Sequence, residues 1–450
     1  MTITKVLPDG TVYSRRKNFQ SFSVHSLEAY SSIVGEQKIE RLQEVSQPFK
    51  NMKLLELNST AQGGGVAEML YSSVPLLTTL GLDVEWKIIN GNASYFECTK
   101  ILHNLLQGMK GSFTDEMNDI YQNQIGESVT NNIIDYAPNV VNVNDPQPML
   151  LCQFLKKKGE SWVWRCHIDI EPAIKSKNGL LNLLNDWILD YDAAIFSSSR
   201  YVFPAWPVPK FVIPPFIDPL SEKNRELTEK EISKVLSKYD IDPKVAIIAQ
   251  IGRFDPWKGI DRTIETFHRV RKDQKCQLII AGGSASDDPE GERILNNILL
   301  ETQNDEDIHV LNLSLSNRLE NYREVNALQR AASVIMQPST REGFGLVVTE
   351  ALWKSKPVIA SRVGGMAYQI QNGKTGYFYQ NSKTTAEKIN YLLSNPKFAD
   401  NMGRKAKRYV QNHFLIVDRM IDYLMAIEIT MEATANRKKR VESITSFYPW

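Results

Sequence analysis

The chain has 450 residues, a formal net charge of +1, 42% hydrophobic residues and 23% charged residues. That length exceeds one ordinary hydrophobic core, so two domains of about 200 residues each are expected. The near-zero net charge gives no general attraction for nucleic acid or an anionic membrane, and neither partner is expected. No apolar window approaches the ~18 residues of a membrane span, and the first residues have no apolar run typical of a secretory signal, which together predict a cytoplasmic protein.

Cysteine and histidine spacing gives no indication of a metal site. The cysteines, which show no CxxC spacing, are predicted to be buried reduced thiols: Cys98, Cys152, Cys166 and Cys276. The six histidines include no HxxxH pair, so no structural metal is predicted. A basic run at 437–440 is interpreted as a solvated helix end and not as a nucleic-acid patch.

The first half of the chain reads as alternating helices and strands. Residues 26–47 predict one helix on the first domain. A strand at 53–57, a glycine loop, a helix at 66–80 and a strand at 82–89 form a βαβ unit of a parallel sheet. Further strands are predicted at 139–143, 162–170 and 193–197. The segment 203–219 is dense in proline, which central strands and helices do not tolerate, and it is predicted to connect the domains.

The second half repeats this architecture, with continuous apolar strands separated by helices. Such runs are typical of strands buried on both faces. They are predicted at 245–250, 277–283, 308–313, 333–337, 357–361 and 376–378. The predicted fold is α/β, with two doubly wound Rossmann-like domains facing a central cleft, and with ligands beyond the carboxyl ends of the strands. The domains are placed at 1–215 and 216–419, with a C-terminal helix at about 420–450 packing back on the first.

A glycine loop, Gly63, Gly64 and Gly65, lies between the first strand and the following helix. Glycines let the backbone approach a ligand, and free helix amides favour a phosphate. The loop matches neither a P-loop nor an intact GxGxxG pattern, so a simple tight turn remains an alternative.

A second loop, GRFDPWKG at 252–259, follows the strand at 245–250. Its Arg253 and Lys258 are expected at the carboxyl end of that strand. A guanidinium fork and an ammonium point charge together suit a diphosphate. The alternative is a solvated loop whose charges are incidental.

Seven residues separate Glu342 from Glu350 in the segment REGFGLVVTE at 341–350. A glycosidase pair needs carboxyl groups ~5–9.5 Å apart, whereas eight helical residues cover ~12 Å. The two glutamates are therefore interpreted as holding different parts of one extended ligand. Gly343, Phe344 and Gly345, with Leu346, are expected to offer helix N-terminal amides to a phosphate.

Together these features resemble the GT-B retaining glycosyltransferases of family 4. The GRFDPWKG segment is similar to that family's donor-phosphate loop, and Glu342 and Glu350 match its E-x7-E motif. Within the family the chain resembles the trehalose-synthesising glycosyltransferases over about residues 27–425. The matching segments are NST at 58–60, GGGVAE at 63–68, DPQP at 145–148, WRCHID at 164–169 and VNALQR at 325–330.

One position departs from this pattern. Where the group usually reads HDPQP, this chain reads NDPQP, with Asn144 in the place of the histidine. Asparagine cannot carry a proton at neutral pH, so the identity of the acceptor stays open at this point.

The resemblance implies a role for each candidate residue. His167 contacts the reacting face of the donor sugar, Glu342 binds sugar hydroxyls, Glu350 binds the ribose, and Asn326 lies in the nucleotide region. Arg253, Lys258 and the amides at 343–346 stabilise the departing phosphate, joined by the loop Gly63–Gly65. The candidate acceptor ligands are Asn144, Asp145, Gln147 and Asp169. For His167 a core position, and for the acceptor ligands turn and cap roles, remain alternatives.

The expected reaction is retaining transfer of glucose from a nucleoside-diphosphate-glucose to free glucose, giving trehalose. No tightly bound cofactor is expected; Mg²⁺ would only accompany the nucleotide. Three alternatives remain: a trehalose phosphorylase, a family 4 transferase with another sugar or polyol acceptor, and a non-enzymatic sugar-nucleotide sensor. The partners are small sugars, and a homodimer is left open.

Overall fold

The computed structural model describes residues 3–6, 12–14, 24–61, 64–89, 91–131, 134, 137–176, 179–283, 289–435 and 444–446. The chain divides into two units. The first comprises Met1–Pro215 and Ile416–Trp450, and the second comprises Phe216–Leu415.

The first unit alternates strands and helices along the chain. Its leading strands are β1 Ile3–Val6, β2 Val12–Ser14, β3 Lys53–Asn58, β4 Asp83–Ile88, β5 Val140–Asn144, β6 Ser161–Cys166, β7 Ala193–Phe196 and β8 Lys210–Val212. Its leading helices are α1 Leu27–Val34, α2 Glu36–Ser46, α3 Gly65–Thr79, α4 Ala93–Leu106, α5 Asp115–Thr130, α6 Leu151–Leu155, α7 Glu171–Ser176 and α8 Leu180–Ile188.

The second unit is built on a parallel sheet. Its strands are β9 Ala246–Ile251, β10 Cys276–Gly282, β11 Ile308–Asn312, β12 Val334–Gln337, β13 Val358–Ala360 and β14 Gly376–Phe378. Its helices are α9 Glu229–Lys238, α10 Ile260–Val270, α11 Pro289–Thr302, α12 Arg318–Ala331, α13 Leu346–Trp353, α14 Met366–Gln369, α15 Ser382–Ser394 and α16 Pro396–His413. The strand order is β11-β10-β9-β12-β13-β14. The order reverses between β9 and β12, where parallel α/β sheets bind ligands.

After the second unit the chain returns to the first through α17 Ile416–Ala435 and β15 Ile444–Ser446. The sheet of the first unit has the order β15-β8-β7-β6-β5-β3-β4-β1-β2. Its strands are parallel, except that β1 pairs antiparallel with β4 and β2. Helix α17 packs against α2 and β6, and Lys38 forms an ion pair with Asp418 at 2.8 Å.

Both sheets are buried, which is why their strands are continuously apolar. Every residue of β5, β6, β7, β10 and β12 is buried. A cluster of aromatic rings backs the first sheet, where Trp164 and Phe196 pack against Trp206 at centroid distances of 5.7 and 5.9 Å. The predicted α/β class with two doubly wound sheets is confirmed.

Local differences from the predictions have simple causes. The single helix predicted at 26–47 is two helices, because Gly35 adopts a positive φ of 91° between them. The proline-dense segment contains β8, a strand that the proline density argued against. Pro209 joins the sheet by accepting a hydrogen bond from the Ala194 backbone N–H at 2.9 Å, which requires no N–H of its own. The basic run at 437–440 lies outside the described residues.

Candidate functional site

In the second unit, the loop after β9 carries one exposed cation and one paired cation. Arg253 has 60% of its side chain exposed and lies 3.5 Å from Asp255. Lys258 forms an ion pair with Glu342, with Nζ 2.6 Å from Oε2, and both side chains are largely buried. The loop therefore offers an exposed guanidinium and an ammonium held in place.

Besides that ion pair, hydrogen bonds and a ring contact hold the 253–258 loop against the segment before α13. The Thr340 backbone N–H donates to the carbonyl of Trp257 at 2.7 Å. The Arg341 guanidinium lies over the Trp257 ring, 4.2 Å from its centroid. These contacts bring Lys258 and Glu342 together although 84 positions separate them in sequence.

Helix α13 begins without a side-chain cap. Gly345 precedes its first residue with a φ of 82°, in the left-handed region that favours glycine. A second glycine, Gly364, is required because a Cβ there would overlap the carbonyl oxygen of Glu342. Phe344 is buried against Phe414, with ring centroids 5.7 Å apart. The predicted phosphate-binding amides of 343–346 thus lie beside Glu342 at a rigid turn.

Glu350 lies within α13 and is almost fully buried, with 1% of the residue exposed. Its Oε1 is paired with Lys223 at 3.0 Å, and its Oε2 accepts a longer hydrogen bond from Gln329 at 3.4 Å. The predicted ribose ligand is thus already engaged by a cation that the sequence did not single out.

Asn326 is fully buried, and its side chain is used within the protein. Its Nδ2 donates to the carbonyls of Glu222 and Arg225, both at 2.9 Å, and its Oδ1 accepts from Arg330 at 2.9 Å. The hydrogen bonds of this side chain are thus already made within the protein, and the place of Asn326 in the nucleotide region stays a prediction. The side-chain amide of Asn326 holds the 222–225 loop in place, and Lys223 of that loop pairs with Glu350.

In the first unit, the predicted glycine loop is described only in part, since Gly63 lies outside the described residues. Gly64 is extended and Gly65 begins α3, again without a side-chain cap. A Cβ on Gly64 would meet no atom within 4 Å, so packing does not require glycine there. The arrangement leaves the first amides of α3 uncapped by any side chain of the described residues.

A buried polar network lies at the carboxyl ends of β3, β5 and β6, centred on Glu56. Its Oε2 accepts hydrogen bonds from the amides of Asn142 at 2.7 Å and Asn144 at 2.9 Å. Its Oε1 accepts from the Tyr423 hydroxyl at 3.0 Å. Burial raises the pKa of Glu56, and these hydrogen bonds and the nearby Arg165 oppose that rise.

His167 joins this network at the end of β6. Its Nε2 lies 2.9 Å from Oδ1 of Asn144, and its backbone N–H donates to Oδ1 of Asp145 at 2.8 Å. Burial, and then the positive charge of Arg165, hold the pKa of His167 well below its ordinary value. Its imidazole is therefore neutral near pH 7. Among the described residues, its buried Nδ1 has no hydrogen-bond partner.

Asp145 adopts a φ of 63°, a left-handed conformation that Asp tolerates better than most residues. Burial raises its pKa to about 7, against the His167 backbone N–H and Arg165, which lower it. The carboxyl group therefore changes its protonation near neutral pH.

The other two predicted acceptor ligands lie nearby in sequence but make different contacts. The backbone carbonyl of Gln147 accepts from the Tyr95 hydroxyl at 2.6 Å, while its buried side-chain oxygen is unpartnered within the described part of the chain. Asp169 accepts from the Glu171 backbone N–H at 2.9 Å at the start of α7, and burial raises its pKa. Asp169 thus has the turn role that was left open for it.

The structure brings together Asn144, Asp145 and His167, and separately Lys258 and Glu342. The sequence prediction missed Glu56, Asn142, Arg165, Tyr423 and Lys223. Glu56 and Asn142 gave one usable signal: each is a polar residue inside an apolar buried strand, where polar groups need partners.

No group of three or more His, Cys, Asp or Glu side chains in the described ranges is placed to hold a metal ion. All four cysteines are free and buried. None of the helices that the structure describes is long and apolar enough to cross a membrane.

Comparison with known proteins matches both halves of the chain. The family model for the trehalose synthase N-terminal domain matches residues 56–203, and that for glycosyl transferases group 1 matches residues 231–409. A trehalose synthase of Pyrococcus horikoshii is 43% identical over 412 residues, which cover 91% of this chain and 97% of that protein. A trehalose phosphorylase of Pleurotus pulmonarius is 30% identical over 377 residues, covering 73% of this chain and 50% of that protein.

Comparison with solved structures shows the same fold at low sequence identity. The UDP-forming α,α-trehalose-phosphate synthase from Burkholderia xenovorans matches with a TM-score of 0.65 and 14% identity, covering 85% of this chain and 99% of that one. This likeness confirms the GT-B type of fold.

Proposed function

We propose that this chain, which belongs to the trehalose synthase family of glycosyltransferases, transfers glucose from a nucleoside-diphosphate-glucose to free glucose and forms α,α-trehalose. The observation that carries the proposal is the 43% identity to a trehalose synthase over nearly the full length of both chains. The polar groups of each unit support it.

In the second unit, the groups around Lys258 suit the diphosphate of the donor. Negative charge grows on the phosphate as its bond to the anomeric carbon breaks, and fixed cations and amides stabilise it. Lys258 is held by Glu342 at 2.6 Å, and the exposed Arg253 can close on the phosphate. The amides at the start of α13 add their partial positive charge. In this proposal Glu342 binds sugar hydroxyls while it orients Lys258.

In the first unit, the groups around His167 suit a neutral sugar. The unpartnered Nδ1 of His167 and side-chain oxygen of Gln147 are buried acceptors among the described residues, and hydroxyl groups can donate to both. Asp145 supplies a third polar group, whose pKa of about 7 lets it donate or accept. Asn144 acts through His167, because its own side chain is engaged with Glu56 and Leu57.

We propose that transfer proceeds with retention at the anomeric carbon. The glycosidic bond to phosphate breaks, the acceptor hydroxyl attacks from the same face, and the departing phosphate oxygen takes the hydroxyl proton. The proton thus ends on the nucleoside diphosphate, and no protein base is required. The residues of this chain position the two sugars and stabilise the leaving group.

A trehalose phosphorylase is the second candidate, supported by the 30% identity to such an enzyme. A ribose ligand would favour a nucleotide donor, since a phosphorylase has no ribose to bind. Glu350, which the resemblance assigns to the ribose, is paired with Lys223 at 3.0 Å and therefore adds little weight against a phosphorylase. The nucleotide donor is preferred because identity to the synthase is higher and spans 97% of that protein, against 50% of the phosphorylase.

The test is product analysis of the purified protein with glucose and, in parallel, UDP-, ADP-, GDP-glucose or glucose 1-phosphate. Trehalose from a nucleotide donor supports the proposal and identifies the base. Trehalose from glucose 1-phosphate alone makes the chain a phosphorylase. Donor consumption without trehalose contradicts glucose as the acceptor.

A further inference from the structure

The amide of Asn144 can adopt only one orientation in this network. Its Nδ2 faces Oε2 of Glu56 at 2.9 Å and the carbonyl oxygen of Leu57 at 3.1 Å. A carbonyl oxygen can only accept, so the NH₂ group must lie on that side whatever the protonation of Glu56. The Oδ1 atom is therefore the one that faces His167.

This orientation determines which nitrogen of His167 carries the proton. Because Asn144 presents an oxygen, Nε2 must donate to it across 2.9 Å. The imidazole is neutral, since burial and Arg165 lower its pKa, so it holds a single proton. That proton is on Nε2, and Nδ1 has a free lone pair. In the described structure this Nδ1 is buried and unpartnered.

We propose that Glu56 and Asn144 are positioning residues that hold His167 in its Nε2-protonated tautomer, so that Nδ1 accepts a hydrogen bond from a hydroxyl group of a bound hexose. The hexose is that of the proposed function, on which this part of the inference rests. A carboxylate or amide that fixes the far nitrogen of a functional histidine sets both the tautomer and the ring orientation.

Neighbouring contacts also fix Glu56 and His167 in these positions. Glu56 is held on its other oxygen by Tyr423, which α17 brings from 367 positions away. His167 is also fixed at its backbone, because its N–H donates to Asp145 at 2.8 Å. Unlike a histidine, Asn144 cannot exchange donor and acceptor roles by moving a proton.

Asn142 provides a matched control. It lies two residues before Asn144 on β5 and donates to the same oxygen of Glu56, at 2.7 Å. Among the described contacts, His167 bonds through its ring to Asn144 and not to Asn142. The Asn142 amide also donates a longer hydrogen bond to Oδ1 of Asn144, at 3.4 Å. Loss of either asparagine weakens the Glu56 network, but only loss of Asn144 removes the acceptor for Nε2.

The test is a long-range proton–nitrogen correlation spectrum of protein whose six histidine rings carry the heavy nitrogen isotope. His167→Gln identifies the His167 signals. The wild type is expected to show a protonated Nε2 and an unprotonated Nδ1. In Asn144→Leu both signals should move towards the average of the two tautomers, while in Asn142→Leu, which keeps the acceptor for Nε2, they should move far less. Asn144→Leu should also lower kcat/KM for trehalose formation by about tenfold or more.

A proton on Nδ1 in the wild type overturns the inference, as do equal spectral changes in the two leucine variants. The wild-type spectrum alone shows which nitrogen of His167 carries the proton, so it tests the inference even if a variant does not fold. If the tautomer is as proposed but no trehalose forms, the proposed function fails and the tautomer assignment stands. If trehalose forms while Nδ1 carries the proton, the inference fails and the function stands.

Discussion

The two candidate sites differ in what holds their side chains in place. In the first unit, His167 is supported by buried groups on β3, β5 and α17, with Glu56 at the centre. In the second unit, Lys258 and Glu342 support each other, beside an Arg253 that is mostly exposed. A buried network affects stability whenever one member is lost, whereas exposed groups can be lost without unfolding. Loss of a member of the Glu56 network should therefore lower stability, whereas loss of the exposed Arg253 should lower turnover without unfolding the protein.

The largest effect is expected for Glu56→Ala in the first unit. The change leaves the two asparagines and Tyr423 buried without their shared acceptor and removes the negative charge near Arg165, which together should cost about 3–5 kcal/mol of unfolding free energy. Urea unfolding followed by circular dichroism measures this. Glu56→Gln, which keeps the shape and one acceptor, should lose much less. Equal losses in the two variants would show that the network is not held by hydrogen bonds to this side chain.

In the second unit, Glu342→Ala should lower kcat by about 10²–10³, equivalent to about 3–4 kcal/mol of transition-state stabilisation. The reason is that Lys258 loses the carboxylate that holds it 2.6 Å away. Steady-state nucleotide release measures this. The control is Arg41→Ala, which breaks an exposed ion pair with Glu44 and should leave kcat unchanged. Near-wild-type turnover in Glu342→Ala would remove this residue from the proposed donor site.

Arg253→Ala should lower turnover while leaving the free energy of unfolding nearly unchanged. Because the side chain is 60% exposed, the unfolding free energy should stay within about 0.5 kcal/mol of the wild type. The value of kcat/KM for the donor should fall by about 10²-fold, through loss of a cation on the leaving phosphate. Arg269→Ala, which breaks the exposed pair with Glu265, is the matched control for a lost surface arginine. An equal fall in kcat/KM in Arg253→Ala and Arg269→Ala would show that the loss of any surface arginine lowers turnover, and would contradict a specific role for Arg253.

The smallest effect is a pH-dependent gain in stability for Asp145→Asn. In the folded protein the pKa of Asp145 is about 7, above its ordinary value of 3.8. Between those pH values the folded state holds a proton that the unfolded state releases, so stability falls as pH rises from about 4 to about 7. The asparagine side chain does not titrate, and the variant should be more stable by about 1–3 kcal/mol at pH 8 and by little at pH 4.

Thermal unfolding of the wild type and Asp145→Asn at the two pH values makes this comparison. A gain of the same size at both would mean that asparagine is simply better suited to the left-handed φ of 63°. We expect the same variant to lose activity, because Asp145 is a proposed sugar ligand.

The sequence predicted the second unit's site better than the first unit's. Lys258 and Glu342 lie in short motifs, each next to a strand end, so their meeting follows from the parallel sheet. For Asn326, the motif could not show that the side-chain amide already donates to carbonyls of the loop at 222–225.

In the first unit, Asn144 and His167 were selected but their support was not. Glu56 lies 88 positions from Asn144, and Tyr423 lies 367 positions from Glu56. Such pairs form only when strands are placed side by side and α17 returns to the first sheet. Glu56, a charged residue inside the apolar strand KLLELN, was the local sign that a buried partner had to exist.

The most direct test of the proposed reaction uses glucose labelled at its anomeric carbon as acceptor and unlabelled nucleotide-glucose as donor, with the product followed by nuclear magnetic resonance. We expect α,α-trehalose with the label in one ring only, formed in step with nucleoside diphosphate. A β configuration in the unlabelled, donor-derived ring would contradict retention, and nucleoside diphosphate released without labelled disaccharide would contradict transfer to glucose.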